Sequence, residues 1–176
     1  MDPPPETAVL IGAESTGKTT LAAQLAEHYG TIWCPEYARE FAERKGDALD
    51  FGDVEAIAKG QLALEEEYLE RAGRLLVFDT NILSTIVYSN HYYAASPDWV
   101  EAALRARAYG LYLLMDVDVP WEPDSVRDAT DIRGQIHERF RKALRVYGCR
   151  HIEIQGDWSG RFDKAVLEID ALLTRS

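Results

Sequence analysis

The segment from Gly12 to Thr19 constrains the fold more than any other part of the chain. It reads GAESTGKT, in which a glycine is followed after four residues by a Gly-Lys-Thr triplet. The apolar run at residues 8–11 precedes it, and the helix-forming stretch KTTLAAQLAEHYG overlaps its end. A glycine-rich loop between a buried strand and a helix is the pattern of a phosphate-binding P-loop. An ordinary glycine-rich turn is disfavoured because strand, loop and helix occur in the required order.

The predicted loop has a defined chemistry. Its backbone N–H groups and the N-terminus of the following helix would surround the β-phosphate of a nucleoside triphosphate. Lys18 would bridge the β- and γ-phosphates, and the hydroxyl of Thr19 would bind magnesium. The nucleotide-binding candidates of the loop are Gly12, Glu14, Ser15, Thr16, Gly17, Lys18, Thr19 and Thr20.

Short apolar segments alternate with amphipathic segments along the rest of the chain. This alternation indicates an α/β fold in which helices cover both faces of a parallel sheet. Besides the first strand, strands are predicted near residues 31–34, 74–79, 110–116 and 150–154. We therefore expect a P-loop NTPase-type parallel five-stranded sheet flanked by helices. The length of 176 residues predicts a single domain, residues 1–176, with a flexible tail at residues 1–6.

A long helix is predicted between residues 53 and 72, because apolar residues recur there at helical spacing. The acidic residues of this helix are expected to face solvent. They are Glu65, Glu66, Glu67 and Glu70.

The composition argues against several classes of binding partner. The formal net charge is −11, which argues against a nucleic-acid partner because such partners bind basic surfaces. No apolar stretch approaches the length that spans a membrane, and the two cysteines suggest no disulfide framework. We therefore expect a cytoplasmic protein with no nucleic-acid and no membrane partner. The sequence leaves its oligomeric state open.

A carboxylate follows the third predicted strand. In GRLLVFDTNILST, a buried run ends at Asp79. This places the side chain at the carboxyl edge of the sheet, where ligands of open α/β folds bind. We predict that Asp79 either binds magnesium or accepts the proton of an attacking hydroxyl. The alternative is that it only caps a helix starting at Asn81.

A second polar group, within CPEYAREF, follows the second predicted strand. Tyr37 can stack on a planar ring or hydrogen-bond a ribose, while Glu36 and Arg39 can hold hydroxyls. A surface helix with an ion pair between Glu36 and Arg39 explains the segment equally well.

A third segment, about residues 120–135, resembles a mobile lid followed by a helix. It begins PWEPDSVRD, and seven of the nineteen lysines and arginines lie between Arg127 and Arg150. A lid that brings arginine to a transferring phosphoryl group and excludes water is a recurring device of small kinases. Arg127 and Arg133 are the candidates for this role. The basic residues expected to face solvent further along are Arg139, Arg141, Lys142 and Arg145.

These motifs together resemble one group of P-loop kinases. GAESTGKTTL, PEYAREF, DTNILST, WEPDSVRD and IQGDW with Arg161 occur in this order. Their order and spacing are similar to those of the ribosylnicotinamide kinase domain of bacterial NadR-type proteins. The resemblance implies phosphorylation of the 5′-hydroxyl of nicotinamide riboside to nicotinamide mononucleotide, for NAD biosynthesis. It also implies ATP and Mg²⁺ as cofactors.

The resemblance implies roles for individual residues. Lys18, Asp79, Arg127 and Arg133 would be catalytic, and Thr19 and Asp79 would hold the metal. Trp158 and Arg161 would lie near the adenine. The nucleoside pocket would include Glu36, Tyr37, Arg39, Gln61, Asp79, Asn81 and Trp121.

Two other functions remain open at this point. If the chain does not act on nicotinamide riboside, we expect one of two alternatives. It is then either a kinase of another nucleoside or small hydroxyl metabolite, or a P-loop ATPase regulatory module. NadR-type proteins also carry an adenylyltransferase domain before the kinase, for which 176 residues leave no room. The resemblance therefore predicts a free-standing kinase.

Overall fold

The computed structural model describes residues 4–119 and 130–175. In this part of the chain, five strands form one sheet in the order β2-β3-β1-β4-β5. All neighbouring strands are parallel. The strands are β1 Glu6–Ile11, β2 Trp33–Cys34, β3 Leu75–Asp79, β4 Leu111–Met115 and β5 His151–Ile154. The prediction of an α/β fold with a parallel five-stranded sheet is confirmed, and each predicted strand is present.

Seven helices of the described residues connect and flank the strands. One follows β1, two precede β3, two precede β4, one precedes β5 and one follows it. They are α1 Lys18–Tyr29, α2 Tyr37–Lys45, α3 Phe51–Arg71, α4 Ile82–Tyr93, α5 Asp98–Ala106, α6 Thr130–Val146 and α7 Trp158–Leu173.

The central strand β1 is buried on both faces, as expected for a parallel sheet covered by helices. Ala8 and Leu10 pack against α1 and α7 on one face. Val9 and Ile11 point to the opposite core, which α3, α4, α5 and α6 complete. The strand begins at Glu6, the last residue of the predicted tail, whose N–H donates to the Arg74 carbonyl at 3.0 Å.

The strand order decides where a ligand can bind. The chain moves from β1 to β2 and β3 on one side of the sheet and then crosses to β4 on the other side. Such a switch point opens a crevice at the carboxyl ends of the strands. The loop after β1 and the end of β3 both lie at this edge, and the Thr80 N–H donates to the Leu10 carbonyl at 2.9 Å.

The prediction that the acidic residues of α3 face solvent is wrong for Glu65. Glu66, Glu67 and Glu70 are exposed, whereas Glu65 is fully buried. Burial raises the pKa of Glu65 to about 7, against hydrogen bonds from Tyr109 and Gln61 that lower it. Glu65 continues a buried stripe whose members are four, three and four residues apart. This helical spacing is visible in the sequence, and it indicates that Glu65 shares the buried face of α3. The stripe consists of Val54, Ala58, Gln61 and Glu65.

The expected solvent exposure is also wrong for Arg141 of α6. Its guanidinium donates to both carboxylate oxygens of Glu153 on β5, at 2.7 Å from Nε and 3.0 Å from Nη2. Such bidentate ion pairs fix the relative orientation of the two side chains as well as pairing their charges. Arg141 therefore attaches α6 to the sheet.

Among residues 4–119 and 130–175, no helix is both long and apolar enough to cross a membrane.

Candidate active site

The P-loop connects β1 to α1, and its two glycines have conformations that other residues rarely adopt. Gly12 has φ 146° and Gly17 has φ 82°. A Cβ atom on Gly12 would also lie 2.8 Å from the Met115 carbonyl oxygen. The glycines are therefore required by the shape of the loop as well as by access to a ligand.

Lys18 begins α1 and bends back over the loop. Its Nζ donates to the carbonyl oxygens of Gly12 at 3.1 Å and Ala13 at 2.7 Å. Burial lowers the pKa of Lys18, and the nearby carboxylates of Glu36 and Asp79 oppose this shift. The ammonium group is thus held at the mouth of the P-loop with two acidic groups close by.

Asp79 ends β3 and faces the start of α1. It is 3% exposed, and its Oδ2 accepts a hydrogen bond from the Thr19 hydroxyl at 2.5 Å. Within the described residues, Oδ1 of Asp79 has no hydrogen-bond partner. A carboxylate and a hydroxyl supply the hard oxygen ligands that magnesium prefers, so this pair fits the predicted metal. The unpartnered oxygen is equally suited to accept a proton.

The backbone after Asp79 has an unusual conformation. Thr80 has φ 68°, in the left-handed region that a threonine rarely adopts. Its hydroxyl lies in contact with that of Ser84. Non-glycine residues in this region concentrate at functional sites because the surrounding structure must hold them there. The turn at Thr80 ends the strand at the P-loop.

Asn81, not Asp79, caps α4, so the cap role considered for Asp79 belongs to its neighbour. The Asn81 Oδ1 accepts the Leu83 N–H at 3.1 Å, and its Nδ2 donates to the Tyr112 hydroxyl at 2.9 Å. Both ends of this buried amide are therefore used within the protein. Its predicted contact with a nucleoside stays a prediction.

Glu36 and Arg39 lie at the same edge, just after β2. Burial raises the pKa of Glu36, whereas the charge of Lys18 lowers it. Asp79 and Arg39 also act on this carboxylate. The charges of Lys18 and Asp79 therefore act on Glu36 in the structure. The sequence predicts only that Glu36 and Asp79 lie at the same edge of the sheet, because each is found at or just after the end of a strand.

Tyr37 and Gln61 form the contact between α2 and α3. A Cβ atom on Gly60 would overlap the ring of Tyr37, and the Tyr37 hydroxyl accepts a hydrogen bond from Arg44 at 2.8 Å. The Tyr37 N–H donates to Gln61 Oε1 at 3.0 Å. Gln61 is 2% exposed and donates its Nε2 to Glu65 at 3.1 Å. Gln61 therefore holds the backbone of Tyr37 through a hydrogen bond, and its direct contact with a substrate stays a prediction.

Arg133, a predicted lid residue, lies against the P-loop. Its guanidinium donates to the Ser15 carbonyl at 3.2 Å and the Val119 carbonyl at 3.3 Å. It is 6% exposed, and its Nε has no partner within the part of the chain that is described. This cation is therefore already next to the loop that would hold phosphates.

The rest of the predicted lid is only partly described. Arg127 and Trp121 lie outside the described residues, so their roles stay predictions. From residue 130 onward the predicted lid segment forms the first turns of α6.

Arg161 has a role that the sequence analysis missed. It is fully buried in α7 and donates to the carbonyls of Gly156 at 2.8 Å, Thr16 at 3.3 Å and Asp116 at 3.1 Å. It also pairs with the carboxylate of Asp118. The residue clamps the P-loop to the end of β4 and to the loop before α7. Its predicted contact with adenine stays a prediction.

Trp158 lies over the second glycine of the P-loop. A Cβ atom on Gly17 would overlap the indole, and 56% of the Trp158 surface is exposed. An indole face is thus available beside the phosphate loop.

Comparison with known proteins supports the interpretation of these motifs. The AAA domain family matches residues 7–161. The trifunctional NAD biosynthesis/regulator protein NadR of Salmonella typhimurium is 26% identical over 167 residues, 91% of this chain and 41% of that protein. NadR of Escherichia coli is 29% identical over 125 residues, 69% of this chain and 30% of that protein. The chain thus spans less than half the length of these curated relatives.

Two solved structures show the same fold. The crystal structure of a NadR protein in complex with NR has a TM-score of 0.85 at 20% identity, covering 97% of this chain and 52% of that one. Thymidylate kinase from Ehrlichia chaffeensis has a TM-score of 0.63 at 16% identity, covering 97% and 100%. The predicted resemblance to NadR-type proteins and the P-loop kinase fold are both confirmed. Because the family match spans most of the chain, the protein belongs to the AAA domain family.

Proposed function

We propose that the protein is a cytoplasmic, ATP-dependent kinase that phosphorylates the 5′-hydroxyl of nicotinamide riboside to nicotinamide mononucleotide. The observation that carries the proposal is the contact between Thr19 and Asp79 at 2.5 Å. It joins the P-loop helix to a strand-end carboxylate with one unpartnered oxygen. The similarity to NadR proteins, one of them crystallised with NR, supports this choice of acceptor.

The nucleotide side of the site consists of the P-loop and two cations. On phosphate binding, Lys18 would exchange its contacts with loop carbonyls for contacts with the β- and γ-phosphates. The bond from Arg133 to the Ser15 carbonyl of the P-loop supports a role for this cation beside the same phosphates. Preorganised cations of this kind stabilise the charge that develops during phosphoryl transfer.

Magnesium would be held by Thr19 and Asp79. When bound, it neutralises charge on the phosphate oxygens. The short contact between the two side chains brings their oxygens to one point at the edge of the sheet.

Asp79 also supplies the group that takes the acceptor proton. As the acceptor 5′-oxygen bonds to the γ-phosphorus and the bond to the leaving ADP oxygen breaks, the hydroxyl proton passes to Oδ1. This oxygen is buried and has no partner in the described chain. A carboxylate in this position acts as a general base without a further rearrangement.

The acceptor pocket is proposed to lie beside Glu36. The Glu36 carboxylate interacts with the charges of Lys18 and Asp79, which supports a position beside the transferring group. The nicotinamide ring is planar and cationic, so carboxylates and aromatic faces suit it. Trp158 is the candidate platform for the adenine ring, because its indole is exposed beside Gly17.

The test is phosphorylation of a nucleoside panel by the purified protein with ATP and magnesium. Nicotinamide riboside should exceed uridine, cytidine and adenosine in kcat/KM by at least about tenfold, which corresponds to about 1.4 kcal/mol. The Lys18→Ala protein, purified in parallel, controls for contaminating kinases.

Two other results would replace the proposal. Equal or faster phosphorylation of an ordinary nucleoside would identify a kinase with a different acceptor. Steady ATP hydrolysis with no phosphorylated acceptor would identify a regulatory ATPase module.

A further inference from the structure

Glu65 lies on α3 beneath two segments that border the candidate active site. We call residues 36–37 at the start of α2 the α2 wall, and residues 79–82 at the start of α4 the α4 wall. Glu65 is 0% exposed and does not border the P-loop. Its carboxylate nevertheless has contacts that lead to both walls.

The link to the α2 wall runs through Gln61. The Tyr37 N–H donates to Gln61 Oε1 at 3.0 Å. Because a backbone N–H can only donate, the Gln61 oxygen must face Tyr37 and its NH₂ group must face Glu65. The bond from Gln61 Nε2 to Glu65 Oε1 measures 3.1 Å. Two hydrogen bonds through Gln61 therefore connect Glu65 to the start of α2.

The link to the α4 wall is direct. The backbone N–H of Ile82 faces the Glu65 carboxylate and lowers its pKa. Ile82 is the first residue of α4, three residues after Asp79, and first-turn N–H groups have no partner within their own helix. The interaction with this N–H connects Glu65 to the start of α4, and therefore to the backbone that follows Asp79.

The third donor lies away from the site. The Tyr109 hydroxyl donates to Glu65 Oε2 at 2.6 Å, and Tyr109 precedes β4. A carboxylate that accepts hydrogen bonds from Gln61 and Tyr109 cannot be replaced by an apolar residue without leaving these buried donors unsatisfied.

We infer that Glu65 is a positioning residue of the active site, which sets the α2 wall and the α4 wall relative to each other. Glu36 on one wall and Asp79 on the other then meet the acceptor at a fixed separation. A displacement of about 1 Å between reacting groups costs up to about a hundredfold in rate. The kinetic part of this inference rests on the proposed kinase function.

The test compares the two partners of one carboxylate. Gln61→Leu cuts the link to the α2 wall, whereas Tyr109→Phe removes a donor that leads to neither wall. Glu67→Gln, an exposed position on the same helix, is the matched control for Glu65→Gln.

Steady-state kinetics give the first readout, with whichever nucleoside the wild-type protein phosphorylates. Glu65→Gln and Gln61→Leu should raise the acceptor KM by about fivefold or more, with the ATP KM within about twofold of wild type. Glu65→Gln should also lower kcat by about tenfold, because it disturbs the backbone after Asp79. Tyr109→Phe should lose stability but keep both KM values. A folded Glu65→Gln protein with unchanged acceptor KM and kcat overturns the inference.

Hydrogen exchange gives a second readout that needs no activity. Glu65→Gln should speed amide exchange at both Tyr37 and Ile82, Gln61→Leu at Tyr37 alone, and Tyr109→Phe at neither. Equal exchange at both amides in Glu65→Gln and wild type overturns the inference. If Glu65→Gln does not fold, Gln61→Leu decides by the same two measurements. If the wild type phosphorylates no nucleoside, the proposed function fails, and the exchange pattern alone confirms or overturns the coupling of the walls.

Discussion

The hydroxyl of Thr19 lies 2.5 Å from Oδ2 of Asp79. One side chain belongs to the first turn of the P-loop helix and the other to the end of β3, 60 residues later in the chain. The contact exists because β1 and β3 are neighbours in the sheet, with Leu10 in register with Asp79. Nucleotide and acceptor chemistry can therefore meet at a single point.

Lys18→Ala should lower kcat by at least about a hundredfold, because no other side chain of the loop offers a cation to the phosphates. The protein should remain folded, since Lys18 contacts only carbonyls of its own loop in the described hydrogen bonds. Initial rates and thermal melting check both statements. Lys59→Ala, at an exposed position of α3, is the control. Near-normal turnover in Lys18→Ala would refute the P-loop assignment.

Asp79→Asn should lower kcat by about 10² to 10⁴ because it keeps the size of the side chain but removes the basic oxygen. Asparagine retains an oxygen that accepts from Thr19, so the melting temperature should change little. Asp163→Asn on the exposed side of α7 is the control. A large drop in melting temperature with full activity per folded molecule would assign Asp79 a purely structural role.

Glu36→Gln should raise the acceptor KM by about tenfold and leave the ATP KM within about twofold. The reason is that Glu36 lies at the α2 wall, beside Lys18 but outside the P-loop. Glu43→Gln, at an exposed position of the same helix, should leave both constants unchanged. An equal rise in both KM values would place Glu36 on the nucleotide side.

Arg161→Leu should lower the free energy of unfolding by roughly 3 kcal/mol, because three carbonyls and the Asp118 carboxylate lose a buried donor. The ATP KM should rise as well, since Thr16 of the P-loop is one of the clamped residues. Urea denaturation and ATP titration measure the two effects. Arg139→Leu, at an exposed position of α6, is the control, and equal stability of the two variants would contradict the clamp.

The stability of the protein should depend on pH through Glu65. Its pKa is raised by burial from 4.5 to about 7. Between these values the folded state binds more protons than the unfolded state, so this group makes the protein less stable as pH rises. Glu65→Gln does not titrate, so from about pH 5 to about pH 8 the wild type should lose up to about 3 kcal/mol relative to the variant.

Urea denaturation of the wild type and Glu65→Gln at both pH values checks this prediction. The charged and titratable groups that act on Glu65 are Tyr109, Tyr112, Arg107 and Cys34, and burial raises the pKa of Tyr112 far above this pH range. Tyr109 and Cys34 have pKa values raised far above this pH range, so they stay neutral during the experiment. A constant difference in stability between the two proteins would show that Glu65 keeps one protonation state throughout.

The sequence by itself determined the P-loop and the order of strands and helices. Gly12, Gly17, Lys18 and Thr19 lie within one stretch of eight residues, so their geometry follows from local backbone preferences. Helices appear in the sequence through a periodicity of 3.6 residues and the buried strands as short continuous apolar runs, and both are local properties. The position of Asp79 followed from the same logic, because it ends a buried strand.

Only the tertiary structure decided which distant side chains meet. Glu65 and Glu66 are neighbours in an acidic run, yet the packing of α3 buries the first and exposes the second. Arg161 reaches Thr16 across 145 residues, and Glu65 reaches Tyr109 across 44. Such contacts depend on how elements stack and rotate against one another, and many arrangements satisfy the same local pattern. The cost of leaving buried donors and acceptors unpaired selects one arrangement, and that cost arises only once the chain is packed.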